Sequence, residues 1–249
     1  MKNHFLSCVL AVFALFSVCV ADEAASVTIF AAGDSTAALY SERHAPMKGW
    51  VQCLPEFVKD GVTVEDRAAG GRSTVSFRKE GRWDKILADL KPGDFVLIQF
   101  GHNDQKKNRP EIYAEAQTDF RKNLAEFVRE VRAKGGNPIL LTSVTRRVWD
   151  SEGNLTFSLA DYPECTRLTA RETETSLVDL NALTRKWVEE AGVEASARFY
   201  MNLEPGEEPN YPNGNRDNSH FHERGARAVA EMFVKEVKRQ ELPIADCFK

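Results

Sequence analysis

The chain has 249 residues, with 33 Lys and Arg against 37 Asp and Glu, a formal charge of −4, and five cysteines. No basic run dominates it, which excludes nucleic acid as the default partner. Too few cysteines are present for a disulfide-built scaffold, and none has Cys-x-x-Cys spacing.

The first segment reads as an export signal. Lys2 is followed by an apolar run from Phe5 to Val20, and small residues near Cys19-Val20-Ala21 predict cleavage after Ala21. The run is short for a bilayer span and lacks a basic stop-transfer cluster, so no stable membrane insertion is expected after cleavage. Bulky Val18 argues against a lipid-modified Cys19. The expectation is a signal peptide over 1–21, a mature domain over 22–249, and a secreted or periplasmic location. Cys53, Cys165 and Cys247 then remain, which allows one pair plus a free thiol or three free thiols.

Short apolar runs then alternate with longer amphipathic ones. SVTIFA (26–31) is a strand candidate, MKGWVQCLPEFVKD (47–60) is helix-like, and VTVEDRA (62–68) alternates like a strand. DFVLIQFG (94–101) and NPILLTSV (137–144) are apolar throughout, the mark of buried parallel strands. Between them, 113–136 places Phe120, Leu124, Phe127, Val128 and Val131 at helical spacing and stops at Gly135-Gly136. A short helix precedes a strand at 176–180, 182–192 is helical, and 221–240 forms a long amphipathic helix. Such alternation predicts one α/β domain, a parallel sheet with helices on both faces. Two long polar loops interrupt it, 146–164 and 202–220.

Ligands of such sheets bind beyond the carboxyl ends of the strands. The residues there are Gly33-Asp34-Ser35-Thr36, Gly70-Gly71-Arg72-Ser73, Gly101-His102-Asn103-Asp104 and, before the last helix, Asp217-Asn218-Ser219-His220. Each has a plain structural use as a turn or helix cap. Together they meet the needs of a serine esterase. A serine hydroxyl needs a base to take its proton, the base needs a carboxylate to fix its tautomer, and the tetrahedral intermediate needs donors for its oxyanion. Ser35 supplies the hydroxyl and His220 the base, with Asp217 three residues away in a turn leading into a helix. Ser35 N–H at a helix start, a glycine N–H and the Asn103 amide supply three donors.

In those four blocks the chain resembles the SGNH, or GDSL-like, hydrolases, named for Ser, Gly, Asn and His. GDST, AGGRS, GHND and DNSH stand in the family's order across residues 33–220. The resemblance implies a three-layer, flavodoxin-like α/β fold and no cofactor or metal. It also implies Ser35, Asp217 and His220 as catalytic residues and Ser35, Gly71 and Asn103 as oxyanion hole. Gly71 is chosen over Gly70 because it directly precedes Arg72-Ser73. A narrower set, including Gly49-Trp50, AAGGRSTVSF, FGHNDQKK, DYPE (161–164) and DNSHFHERGA, is similar to rhamnogalacturonan acetylesterases. One departure is Val51, where many relatives carry glycine. The implied substrate is an acetylated polysaccharide of the plant cell wall, with specificity from the long loops and with Arg72, Arg146 and Arg147 as partners for uronate carboxylates.

Other readings compete. An α/β-hydrolase elbow nearly fits GDSTA, but Ser35 comes too early for the strands that must precede it. A metal hydrolase would use His102-x-Asp104 and His220-x-His222, yet alternate residues diverge, and His222 is expected at the surface at the start of the last helix. A non-catalytic carbohydrate binder would stack sugars on Trp50, Trp83, Trp149 and Trp187 and would be indifferent to Ser35→Ala. A lipase or an esterase for another acetylated glycan would share the same four blocks.

Overall fold

The computed structural model describes residues 26–249. The expected signal peptide and its cleavage site lie outside them. Five parallel strands form the central sheet: β1 Val27–Gly33, β2 Val62–Asp66, β3 Phe95–Gln99, β4 Asn137–Leu141 and β5 Ser176–Val178, in the order β2-β1-β3-β4-β5. Strand side chains alternate between faces, and this alternation sorts the core into two halves. Ile29, Ala31, Leu97, Ile139 and Leu141 point to one side, and Phe30, Ala32, Val96, Ile98 and Leu140 to the other.

Helices α5 (Leu180–Ser196) and α6 (Glu223–Arg239) cover the first face with Leu180, Val188, Val229 and Phe233. Helices α1 (Thr74–Lys79), α2 (Arg82–Asp89), α3 (Arg121–Ala133) and α4 (Tyr162–Glu172) cover the second with Phe77, Trp83, Phe127 and Cys165. This is the expected three-layer α/β fold. The chain adds β2 on one side of β1 and β3, β4 and β5 on the other, so the carboxyl ends of β1 and β3 open a crevice at the topological switch point.

Several local expectations are corrected. The 47–60 stretch folds only as a 3-10 turn over Val51–Glu56, because Pro55 within it removes a backbone donor. The helix expected from 113 begins with a π-helical turn at Ala116–Phe120 before α3. The 202–220 loop is partly a strand: β6 (Tyr200–Leu203) and β7 (Asn215–Phe221) pair as a separate antiparallel ribbon. Cys53, Cys165 and Cys247 are all free and buried. Trp50 and Trp83 are fully buried, while Trp149 and Trp187 pack against the core, Trp187 stacked on Phe199 at 3.8 Å. None of the four tryptophans is an open sugar platform.

Candidate active site

The nucleophile turn follows β1 directly. No α-helix begins at Ser35, contrary to expectation; residues 35–38 make a single turn in which Ala37 and Ala38 N–H donate to Asp34 O. The capping role falls to buried Asp34, whose Oδ1 accepts from Thr36 N at 2.9 Å and Thr36 Oγ1 at 2.8 Å. Gln99 at the end of β3 donates to Thr36 Oγ1 at 2.7 Å and accepts from Trp50 Nε1 at 2.8 Å. Ser35 thus stands on a buried polar chain running from Trp50 to Asp34, with each link between a donor and an acceptor. Gly49 explains the Gly-Trp pair. A Cβ there would lie 2.2–2.3 Å from the backbone of Ala37 and Ala38, so only glycine lets Trp50 reach beneath the turn. From above, Tyr40 Oη donates to Ser35 O at 2.9 Å.

His220 and Asp217 do not lie in a turn leading into a helix. They lie in β7, where Tyr200 pairs with Phe221 and Asn202 with Arg216, so residues 217–220 bulge out opposite Met201 alone. The bulge folds back on the Asp217 carboxylate. Its Oδ1 accepts from the N–H groups of Ser219 at 2.7 Å and His220 at 3.0 Å, and its Oδ2 accepts from His220 Nδ1 at 2.6 Å. With Nδ1 protonated, His220 Nε2 is left to accept from Ser35 Oγ at 2.8 Å. Burial alone would raise the Asp217 carboxyl, but these hydrogen bonds hold it below the usual carboxylate range. It stays charged while the ring beside it takes up a proton.

The ribbon anchors that bulge. Asn202 Nδ2 donates to Asp217 O and to Asn218 Oδ1, and Arg147 Nη1 donates to Asn218 Oδ1 at 3.0 Å. Arg147 also bonds Ser196 Oγ and Val193 O, so its guanidinium holds structure and is not open to a uronate. Arg72 pairs with Glu80 at 3.0 Å. Arg146 instead donates to the carbonyls of Ser158 and His102, at the junction of the 146–164 loop and the GHND block.

The remaining blocks converge on the same edge. A Cβ on Gly70 would sit 3.7 Å from Ser35 Cβ. Gly71, at φ +78°, adopts the left-handed backbone that a side chain would strain, and it opens onto a cavity of about 490 Å³ with Arg72, Lys79, Arg109 and Ile112. Asn103 Nδ2 donates to Arg72 O at 3.0 Å, which ties the asparagine to the glycine block. Asp104 completes that tie by accepting from Thr74 N at 2.9 Å and Thr74 Oγ1 at 2.5 Å. His102 is buried, its Nε2 donating to Val144 O at 2.9 Å, and burial depresses its pKa. His102 and Asp104 are therefore each committed to separate protein partners. His222 is not on the surface: it is buried, caps α6 by accepting from Arg224 N, and is bridged to Met47.

The orphaned Oδ2 of Asp104 has a measurable consequence. Burial, opposed only in part by the Thr74 bonds, pushes this carboxyl from 3.8 up to about 7. Between those values the folded state keeps a proton that the unfolded chain has released, so this group lowers stability as pH rises through that interval and adds nothing further above it. Asp104→Asn, uncharged in both states, should gain thermal stability relative to the wild type as pH goes from about 4 to about 7. A melting-temperature difference that stays constant across that range would refute the assignment.

A parallel α/β sheet whose switch point carries a hydrogen-bonded Ser-His-Asp relay defines a serine ester hydrolase by fold and geometry. Residues 31–228 match the GDSL-like Lipase/Acylhydrolase family, and the chain belongs to it. It is 39% identical over 220 residues to the rhamnogalacturonan acetylesterase RhgT of Bacillus subtilis, covering 88% of this chain and 93% of that protein. It is 33% identical to the probable rhamnogalacturonan acetylesterase YesY of the same organism, covering 88% and 95%. Among solved structures, the Bacillus subtilis protein YxiM superposes with a TM-score of 0.75 at 31% identity, over 88% of this chain and 58% of that one.

Tyr40 and Lys106 are functional-site neighbours that the sequence reading missed. Tyr40 reaches Ser35 only because the chain turns back over it, and Lys106 sits in a polar QKK run that looks solvated.

Proposed function

We propose that this chain is an exported acetylesterase that deacetylates a pectic polysaccharide, rhamnogalacturonan above other glycans. The observation that carries it is the continuous relay Asp217–His220–Ser35 at 2.6 and 2.8 Å. The similarity to RhgT over most of both chains supports the substrate class.

Ser35 Oγ attacks the acetyl carbonyl as His220 Nε2 takes its proton, and charged Asp217 steadies the imidazolium. The N–H groups of Ser35 and Gly71 and the Asn103 amide stabilise the oxyanion. His220 then gives the proton to the departing sugar oxygen, and water hydrolyses the acetyl-enzyme by the same route. An acetyl group offers little surface, so selectivity rests with groups around the crevice. Of the three expected arginines, Arg72 lines the cavity onto which Gly71 opens, whereas Arg146 and Arg147 are turned to protein partners. Export rests on the leader pattern of residues 1–21.

The test is acetate release by the purified mature protein from acetylated rhamnogalacturonan, beside acetylated xylan. Faster release from the pectic polymer is expected. Release from xylan alone would keep the acetylesterase and overturn the pectin assignment.

A further inference from the structure

An asparagine amide is useful to an oxyanion only if its NH₂, not its oxygen, faces the substrate. The two ends of the group are nearly isosteric, so something must decide between them. At Asn103 that choice is made by two partners of fixed polarity. Arg72 O can only accept, and it takes one hydrogen of Nδ2 at 3.0 Å. Lys106 Nζ can only donate when charged, and it binds Oδ1 at 2.7 Å. Reversing the amide would set NH₂ against ammonium and oxygen against carbonyl, losing both bonds at once. Among the described residues, the other hydrogen of Nδ2 has no protein partner.

We propose that Lys106 is a positioning residue of the oxyanion site, fixing the Asn103 amide in the orientation that presents this N–H to substrate and polarising it from behind. The inference rests on the proposed role of Asn103 and extends it to a residue outside the four sequence blocks.

The local fold makes the contact short-range. Lys106 N–H donates to Asn103 O at 3.1 Å, and Gln105 N–H to Gly101 O, so GHNDQK is wound into a turn that brings residues three apart to one side. Lys106 is half-buried there while Lys107 is exposed. Among the described residues no carboxylate lies within ion-pair reach of the Lys106 ammonium. The charged groups that face it are Arg146 and Arg109, which repel it, and Asp34, which attracts it weakly; burial first and these arginines next lower its pKa. Solvent would be the ordinary place for such a lysine. It is held instead against a neutral carbonyl, and a charge there draws electron density away from Nδ2, strengthening the opposite N–H as a donor.

A double-mutant cycle with a small aryl acetate as substrate tests this, because no polysaccharide contact enters. Asn103→Ala should lower kcat by roughly a hundredfold, as for a lost oxyanion donor. Lys106→Met should lower kcat by roughly tenfold, the worth of a charge-assisted hydrogen bond, with KM little changed. The double variant should be no slower than Asn103→Ala alone, since Lys106 acts only through that amide. Lys106→Gln, a neutral donor, should recover part of the loss and separate orientation from charge.

Multiplicative losses in the double variant, or wild-type kcat in Lys106→Met, would overturn the role of Lys106. A lysine that merely supports the fold would also give multiplicative losses. Wild-type turnover that does not depend on Ser35 would instead remove the underlying reading of the site.

Discussion

Ser35→Ala is expected to lower kcat for an acetyl ester by roughly a millionfold, the loss seen when the nucleophile of such a triad is removed. The remaining rate would come from the oxyanion donors and binding alone. The structure makes this substitution unusually clean. The hydroxyl meets His220 Nε2, but it does not hold the turn together. That work belongs to Asp34, Thr36, Gln99 and Trp50 below and to Tyr40 on the carbonyl above. The alanine variant should therefore melt with the wild type while losing turnover and any burst of acetyl-enzyme formation. A variant within tenfold of wild-type kcat would show that another group attacks.

How much of this was legible in the sequence follows from what each element buries. β3 and β4 lie in the middle of the sheet, covered on both sides, so their apolar runs announce them. The stripe of α6 does the same at helical spacing. β7 carries no such signal, because NRDNSHF spends its side chains on hydrogen bonds instead of a core. Its pairing depends on Asn202 and Arg147, which are remote in sequence, so the local sequence alone suggests a turn into a helix. At the Ser35 turn the cap chemistry belongs to Asp34 rather than Ser35, and Gly49-Trp50 packs against the turn where a helix would continue.

The order of the four blocks made the catalytic set readable, since chemistry restricts which residue types can serve at strand ends. Their supports were not readable. Tyr40, Gln99 and Lys106 are ordinary residues whose role exists only once the chain has folded, and the arginines show the reverse error. Arg147 resembled a free cation in sequence and is consumed by Asn218, Ser196 and Val193.

Asp217→Asn is the second large effect, a fall in kcat of roughly 10⁴, and its cause can be traced atom by atom. Oδ1 of Asp217 accepts two backbone N–H groups, from Ser219 and His220. An asparagine must keep its oxygen there, because an NH₂ would face two donors. Its Nδ2 then takes the place of Oδ2, 2.6 Å from His220 Nδ1. A donor at that position requires Nδ1 to be the accepting nitrogen, which moves the imidazole proton to Nε2. Nε2 can then no longer accept from Ser35 Oγ. The relay is inverted although every heavy atom has a counterpart. Because the two backbone bonds survive, the bulge should keep its shape, and thermal stability should change far less than the rate. Asp217→Ala would lose those bonds as well, so it should cost stability that the asparagine variant retains. Wild-type kcat in Asp217→Asn would mean that the His220 tautomer is set elsewhere. A matched loss of stability and rate would mean that Asp217 serves the bulge more than the base.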